Sequence, residues 1–553
     1  MGRPSLSFDA LAHQAELAGL IDDIVARGTP SPAEISSLLH RHPRGGTGLF
    51  SRAEILQGYR QLRHRYGWRM EDGAFAALLR RRPVRSASGV VPVAVLTHPA
   101  PCPAACVFCP DHAGMPKSYL PAEPGAQRAA QQGFDPYRQT LVRLAALDRT
   151  GHAVDKVELL VLGGTFSVYP EPYRRWFLAR CLAALNACRP GGGPLVLAEA
   201  QAAGACSWED LEAVQAANEG ASCRCVGLTV ETRPDHLSEE EAALLRRLGV
   251  TRVQLGYQSL DDAVLARCRR GHDVAASRRA TGLLRRGGFK VLAHWMPNLP
   301  GATPAYDRRD FARLFADPAL RPDELKIYPC VLVSSPPLVE EWRAGRWAPN
   351  AHEELVALLA DCLEMTPTYC RLARMVRDIP AHDVMAGTRR NNLREEAERA
   401  LAARGGRSRN VRAREVRLAP LDTRNLRLAE LSYSVAGGRE VFIQALAGAD
   451  TLAGFLRLSL PEAPSFLPEL GSAAIVRELH VYGAVAPLHG TDGANVQHRG
   501  LGRSLLQRGV ELAAAASFTR LAVISAVGTR AYYRALGFTD GLLYQHLGLG
   551  RTE

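Results

Sequence analysis

The stretch Val90-Val-Pro-Val-Ala-Val-Leu96, followed five residues later by Cys102-Pro-Ala-Ala-Cys106-Val-Phe-Cys109, decides how the chain reads. The first part is apolar, rich in β-branched valine and too short for a globular helix, so it predicts a buried strand. The second sets three thiols at C-x3-C-x2-C spacing in the loop that follows. Three thiolates this close can hold three irons of a 4Fe–4S cluster and leave the fourth iron open to another ligand. On spacing alone, a zinc site short of one ligand is the competing reading. Similar short runs recur at Val157–Leu162, Leu195–Glu199, Cys225–Val230, Thr251–Leu255, Lys290–His294 and Glu324–Tyr328, with amphipathic helices between them. Ser238-Glu-Glu-Glu241 has the spacing of a helix cap. Such strand–helix repetition predicts parallel βαβ units and a full or partial α/β barrel. Barrels of this kind carry their chemistry at the carboxyl ends of the strands.

On the amino-terminal side, residues 1–85 read as a helical region. Ser31-Pro-Ala-Glu34 and Ser51-Arg-Ala-Glu54 have capping-box spacing, and Pro32 suits an opening helical turn. Ile55, Leu56, Tyr59 and Leu62 share one face of the second of these helices. On the carboxyl side, the barrel region spans 86–370 and an Arg-rich connector spans 371–417. A compact α/β domain is expected over 418–553. Its strands are expected at Glu440–Ala445, Leu452–Leu458, Ala474–Tyr482 and Arg520–Ile524, with a helix at Leu501–Ala516. The fold class is therefore α/β multidomain.

The chain has 553 residues, room for about two to four domains. Hydrophobic residues make up 47% and charged residues 22%, a globular balance. No apolar run reaches about 18 residues, and the first residues lack the basic-then-apolar layout of a secretion signal. A cytoplasmic protein without membrane contact is expected. In a reducing compartment, twelve cysteines point to metal ligands or buried apolar residues, not to disulfides. The net charge of +12 is unevenly spread. Arg41–Arg85 holds eleven Arg against three acidic residues, and Arg371–Arg417 thirteen Arg against six. Two solvated helical faces, or two polyanion-binding surfaces, would both give this pattern.

The cysteine spacing, with Phe108 before the last thiol and a strand ahead, resembles that of the radical-SAM enzymes. The resemblance implies that S-adenosyl-L-methionine (SAM) chelates the open iron, and that an electron from the cluster cleaves it to a 5′-deoxyadenosyl radical. It also implies that the turn Gly163-Gly164-Thr165 hydrogen-bonds the SAM amino group, although an ordinary tight turn has the same composition. Gln497-His-Arg-Gly500-Leu-Gly502 resembles the Q/R-x-x-G-x-G/A loop of GNAT acetyltransferases. Backbone N–H groups at a helix N-terminus there would bind the pyrophosphate of acetyl-CoA, and glycine would allow close approach. Gly528-Thr-Arg-Ala-Tyr-Tyr-Arg-Ala-Leu-Gly-Phe538 supports this assignment. Tyr532 or Tyr533 would lie near the thioester, and core packing suits the other.

Further stretches narrow the family. They are Val84–Gly89, Lys117-Ser-Tyr119, Phe134-Asp-Pro-Tyr137, Val154–Glu158, Leu228–Asp235, Gln254–Ser259, Met296–Gly301, Leu325–Pro329, Val376–Pro380, Arg477–Gly483 and Val523–Arg530. With both signatures in this order, the chain resembles the catalytic subunit of Elongator and its bacterial single-chain counterparts, the tRNA carboxymethyluridine synthases. The match covers about residues 84–545. It implies synthesis of 5-carboxymethyluridine at the tRNA wobble position. The radical would take a hydrogen from the methyl of acetyl-CoA, the carbon radical would add to carbon 5 of uracil, and thioester hydrolysis would follow. The resemblance makes Cys102, Cys106 and Cys109 the metal ligands. It gives acetyl-CoA contacts to Glu478, Leu479, His480, Val481, Gly500, Leu501, Gly502 and Tyr532. Lys156 would handle acetyl-CoA in the radical domain, with an ion pair to Glu158 or Asp155 as the plainer reading.

Many family members carry a Cys-x-Cys-x-x-Cys zinc site in the connector. Here Ser408, Asn410 and Ala413 stand at those places. They cannot bind zinc as thiolates do, so no structural zinc is expected and packing should hold the interface. The implied partners are a tRNA anticodon stem–loop, whose unpaired bases can be splayed out, and an external electron donor; a homodimer stays open. With tRNA as partner, 1–85 becomes a basic tRNA-binding region, and Arg41–Arg85 and Arg371–Arg417 are the candidate backbone contacts. A protein lysine acetyltransferase with a structural cluster is the alternative, and an inactive tRNA-binding scaffold a third reading.

Overall fold

In the computed structural model, residues 8–45, 48–80, 89–191, 204–334, 337–416, 425–482 and 500–550 are described. The strand expected at Leu195–Glu199, the matched residues 84–88, residues 418–424, Gly483 and the loop residues Gln497–Arg499 lie outside them.

Four helices open the chain: α1 Gln14–Ala26, α2 Pro32–Arg41, α3 Arg52–Tyr66 and α4 Asp72–Leu79. Both capping boxes form. Ser31 Oγ and Ser51 Oγ accept from the Glu34 and Glu54 amides, and the two glutamates accept from the serine amides in return. Ile55, Leu56, Tyr59 and Leu62 are buried, as their spacing predicts, against Leu17, Leu20, Ile21 and Phe75. The module rests on the helix Pro136–Arg149, where Arg60 meets Asp148 at 3.4 Å, and beyond its end, where Arg80 Nε donates to the Gly151 carbonyl at 2.6 Å.

A seven-stranded sheet follows. Its strands are β1 Val91–Leu96, β2 Lys156–Leu162, β3 Arg224–Thr232, β4 Arg252–Gln258, β5 Lys290–Trp295 and β6 Glu324–Ile327. The short β7 Leu332–Val333 stands outside it, β8 Arg371–Arg374 completes it, and β9 Val384–Ala386 pairs with β7. The order is β1-β2-β3-β4-β5-β6-β8, and every neighbouring pair is parallel. The sheet is thus a partial barrel, with β1 and β8 as its open edges. Because β8 belongs to it, the sheet continues past residue 370 into the stretch read as connector.

The C-terminal sheet has the order β10-β11-β12-β13-β14-β16-β15. Its strands are β10 Arg427–Val435, β11 Gly438–Ala447, β12 Thr451–Pro461, β13 Ala474–Val481, β14 Arg520–Val523, β15 Thr539–Asp540 and β16 Gln545–Gly548. Only β13 and β14 run parallel; the other pairs are antiparallel. The helix Leu501–Ala515 packs on one face through Leu501, Leu505, Leu506 and Ala513.

This sheet docks beneath the barrel, at the amino ends of its strands. Gly288, just before β5, lies against Ile475, Ile524 and Tyr544. Arg246, before β4, donates to the carbonyls of Ser525 and Leu543. At the centre is a buried ionic network. Asp323 pairs with Arg477 at 2.5 Å and with Arg285 and Arg457 at 3.6 and 3.8 Å. Glu440 pairs with Arg477 and Arg285. Glu478 pairs with Arg457 at 2.9 Å and Lys290 at 3.4 Å. The interface therefore does not rest on packing alone, as expected from sequence. Its polar groups are buried and must be paired, and arginines from both domains pair them. At the connector, Ser408 Oγ donates to the Leu363 carbonyl, and Asn410 bonds Ser408 and the Arg412 amide.

Candidate functional site

The cysteine loop leaves the carboxyl end of β1, as the pattern requires. Val107 anchors it. Its amide donates to the Cys268 carbonyl, and its carbonyl accepts from Leu338. Cys106 is buried, while Cys102 and Cys109 are partly exposed. Arg270 Nη1 reaches Cys106 Sγ at 3.5 Å. Arg377 holds Glu123 and Ser118 beside the loop, and Lys117 pairs with Asp111. Burial foremost, with Cys106 adding to it, pushes the Cys109 thiol up to about 11, while Arg377 and Lys117 pull it down. Among the described residues, no three His, Cys, Asp or Glu side chains are drawn into a metal-holding set. The donor chemistry nevertheless fits an iron–sulfur cluster: three thiols on one loop, and cations around it to offset thiolate charge. The other nine cysteines are all buried.

The Gly163-Gly164 turn sits at the same end, after β2. Both glycines have positive φ (131° and 102°), and a Cβ on Gly163 would collide with Thr97 Oγ1. Their amides both donate to Glu231 Oε1, at 3.0 and 2.9 Å. Tyr119 Oη donates to the same oxygen at 3.2 Å. The amides can only donate and do so to Glu231, so the glycine carbonyls are the backbone groups able to accept from an amino group. Thr165 follows, buried, and its carbonyl closes the next turn. Thr97, Gly163, Gly164, Phe166 and Glu231 line a small crevice here.

Below this level, polar side chains cross the barrel lumen in two layers. Gln254 Oε1 accepts from Lys326 Nζ at 2.5 Å and contacts His294 Nε2 at 2.8 Å, while Gln254 Nε2 is buried without a partner. Burial, and then the Lys326 charge, hold His294 well below the usual histidine range. Nearer the amino ends, Arg252 bridges Glu158 on β2 and Glu324 on β6, the latter at 2.7 Å. Sequence reading missed Glu231, Gln254, Arg270, His294 and Lys326 as site residues. Glu231, Gln254 and Lys326 lie inside stretches that carry the resemblance and His294 ends an apolar run, but no spacing singles any of them out. Arg270 had no signal, because its loop approaches the cysteines only in the fold.

Lys156 opens β2 at the opposite end, next to the C-terminal sheet. Burial, aided by Arg224, lowers its ammonium pKa against the pull of Asp155. Gly528 of the small domain packs on Arg224 and Cys225 beside it.

In the small domain, β13 and β14 pair only from Ala474–Val476 to Leu521–Val523 and then part. Beyond Val476, that edge of β13 has no ladder partner among the described residues, which leaves a slot between them. Gly500, with φ +77°, caps the helix Leu501–Ala515 beside the slot. A Cβ added to Gly502 would lie 2.5 Å from Tyr532 Oη and 3.9 Å from Leu479 Cδ2. The fold thus brings Leu479, Gly502 and Tyr532 together. Tyr532 is 44% exposed, whereas Tyr533 is buried in the core. Leu501 is buried under the helix, and Val481 packs on the same face as Leu479. The Glu478 and His480 side chains turn the other way. Glu478 is spent on Lys290 and Arg457, and His480 stacks on Phe455 with its Nε2 buried and unpartnered. Only their backbone faces the slot edge.

Of the two arginine clusters, the connector's is largely neutralised internally. Arg371 pairs with Glu415, Arg377 with Glu123, Arg404 with Asp361 and Arg414 with Asp450. No described helix is long and apolar enough to cross a membrane.

Residues 97–314 match the model of the radical SAM superfamily, and residues 322–403 that of the radical SAM C-terminal domain. The chain is 39% identical over 475 residues to a tRNA uridine(34) acetyltransferase of Dehalococcoides mccartyi, covering 84% of this chain and 99% of that one. It is 37% identical over 483 residues to Elongator complex protein 3 of Danio rerio, covering 84% and 85%. The solved structure of the archaeal Methanocaldococcus infernus Elp3 with an N-terminal deletion superposes with a TM-score of 0.71 at 34% identity, covering 84% of this chain and all of that one.

Proposed function

This chain belongs to the family of tRNA uridine(34) acetyltransferases and Elongator complex protein 3, and from that premise we propose that it converts the wobble uridine of tRNA to 5-carboxymethyluridine, with acetyl-CoA as carbon donor. The observation that carries the reading is the pairing of two sites in one body. A three-thiol loop lies at the carboxyl ends of a parallel barrel. A glycine-capped helix start, beside an open strand edge, lies in the sheet docked under it. A bound cluster and SAM supply a radical able to take hydrogen from an unactivated methyl group.

The chain's own residues have separable tasks. Cys102, Cys106 and Cys109 hold the cluster, and Arg270 offsets its charge. Gly163, Gly164 and Thr165 receive the SAM amino group through carbonyls, with Glu231 fixing the turn. Gly500, Leu501 and Gly502 present amides to the acetyl-CoA pyrophosphate. Leu479, Val481 and Tyr532 line the arm, with the Glu478 and His480 backbone at its edge. Lys156, whose ammonium is only partly solvated, meets the acyl group at the barrel floor. The relatives give no support to a protein lysine acetyltransferase.

The test is anaerobic. Reconstituted protein, dithionite, SAM, acetyl-CoA and unmodified tRNA should yield 5-carboxymethyluridine by nucleoside mass spectrometry, and Cys106→Ala should yield none. Product without SAM, or none from a well-loaded protein with bound tRNA, would sink the reading. Element analysis of the same protein should find iron but no zinc, since Ser408 and Asn410 supply no thiolate.

A further inference from the structure

Four aromatic rings form a column through the N-terminal module. Phe75 and Tyr59 stack at 4.0 Å and 15°, Tyr59 and Trp68 at 5.6 Å and 12°, and Trp68 and Tyr66 at 5.1 Å and 12°. The column runs outward from the core. Phe75 and Tyr59 are fully buried, Trp68 is 8% exposed and Tyr66 is 39% exposed. Its rings are fixed. Trp68 Nε1 donates to Asp22 at 2.7 Å, and Tyr59 Oη donates to the Met70 carbonyl. Gly67, at φ +69°, ends α3 and turns the chain so that residues 66 and 68 lie face to face.

Cations surround the outer ring in sequence. Arg63 is half-buried, and Arg65 and Arg69 are exposed. Arg44 and Arg60, on the same module, are neutralised by Glu54 and Asp72. Among the described residues Arg63, Arg65 and Arg69 have no such pair. The C-terminal end of a helix accommodates Arg63 and Arg65, but this does not account for a large ring left in water at the end of a rigid stack.

We propose that Tyr66 is a stacking platform for an unpaired base of tRNA, flanked by Arg63, Arg65 and Arg69 as phosphate contacts. The inference rests on the tRNA reading above and adds a binding residue to it. A base laid on Tyr66 extends a column that is already ordered, so little conformational freedom is lost on binding. Stacking suits an unpaired base, because a paired duplex offers this surface only its phosphates.

The test measures affinity of the full chain for unmodified tRNA across a salt series. Tyr66→Ala should weaken binding about five- to a hundredfold with the salt slope unchanged. Tyr66→Phe should stay within about twofold of wild type, which controls for folding. Arg65→Gln with Arg69→Gln should lower the salt slope by about one to two. A fully paired RNA stem of equal length should not sense Tyr66. Wild-type affinity in Tyr66→Ala, or an equal loss for the paired stem, overturns the platform. Tyr66-dependent binding without any 5-carboxymethyluridine would leave the platform standing and remove the functional reading instead.

Discussion

Glu231, next to last in β3, has one carboxylate oxygen that accepts from Gly163, Gly164 and Tyr119 at once. Removing it strands two amides in a turn whose positive φ already restricts it. Glu231→Ala should cost about 1–3 kcal/mol and weaken SAM binding to the reconstituted protein at least tenfold by calorimetry. Unchanged SAM affinity would mean that the turn is held by Thr97 packing alone. The glycines were legible in sequence, because two adjacent Gly after an apolar run have few other uses. Their partner was not. A glutamate in Leu228–Asp235 looks like any strand-end charge until the fold sets it 68 positions away from Gly163. Tyr532 and Tyr533 show the opposite case. The residue pattern alone left the pair undivided, the resemblance pointed to Tyr532, and in the fold Tyr532 is the exposed member and Tyr533 the buried one.

At the scale of an element, the helix Leu501–Ala515 begins where β13 and β14 diverge. Its start was readable from the glycine spacing, and its face from apolar periodicity. The divergence was not, because it depends on how few residues of β14 pair. Gly502 faces Tyr532 Oη so closely that a branched side chain must push the ring aside. Gly502→Val should raise the KM for acetyl-CoA about tenfold or more, by roughly 1–3 kcal/mol of lost fit, while cluster iron content stays at wild-type level. An unchanged KM would place the acetyl-CoA contact elsewhere. β10 escaped sequence reading altogether. Its residues alternate exposed and half-buried, a weak pattern beside the apolar runs that marked β11 to β13.

For the whole molecule, the two sheets are one body because Asp323 and its arginines lie between them. Asp323→Asn leaves Arg477, Arg285 and Arg457 buried and short of charge. The expected loss is about 3–5 kcal/mol, with a single calorimetric unfolding transition splitting in two. An undivided transition at wild-type temperature would show that the network is incidental. Acid should act on the same body. Burial foremost keeps His272 and His480 neutral in the fold down to about pH 4, against an ordinary value of 6.5. Below pH 6.5 the unfolded chain takes up protons that the fold refuses. The stability these two histidines contribute is therefore full above about 6.5 and is lost as pH drops toward 4, while Asp307, raised by burial to about 7, acts in the opposite sense. With Asp307→Asn removing that opposing group, a melting temperature that rose over the window would contradict this. The network was not legible in the sequence, since its members come from five separated strands and helices and, for Asp323, from the residue just before β6.

The docking of the C-terminal sheet at the amino ends of the barrel strands, with the cysteine loop at the carboxyl ends, sets a distance. The strand that joins the two levels, β2, has seven residues, about 20 Å at the usual rise. Lys156 stands at its first residue and Gly163 just past its last. Arg252, tied to Glu158 and Glu324, lies across the direct path. In kinetic language the molecule is a two-station device whose stations are out of earshot. Whatever is loaded at the floor must travel the length of β2 before it can be used at the top.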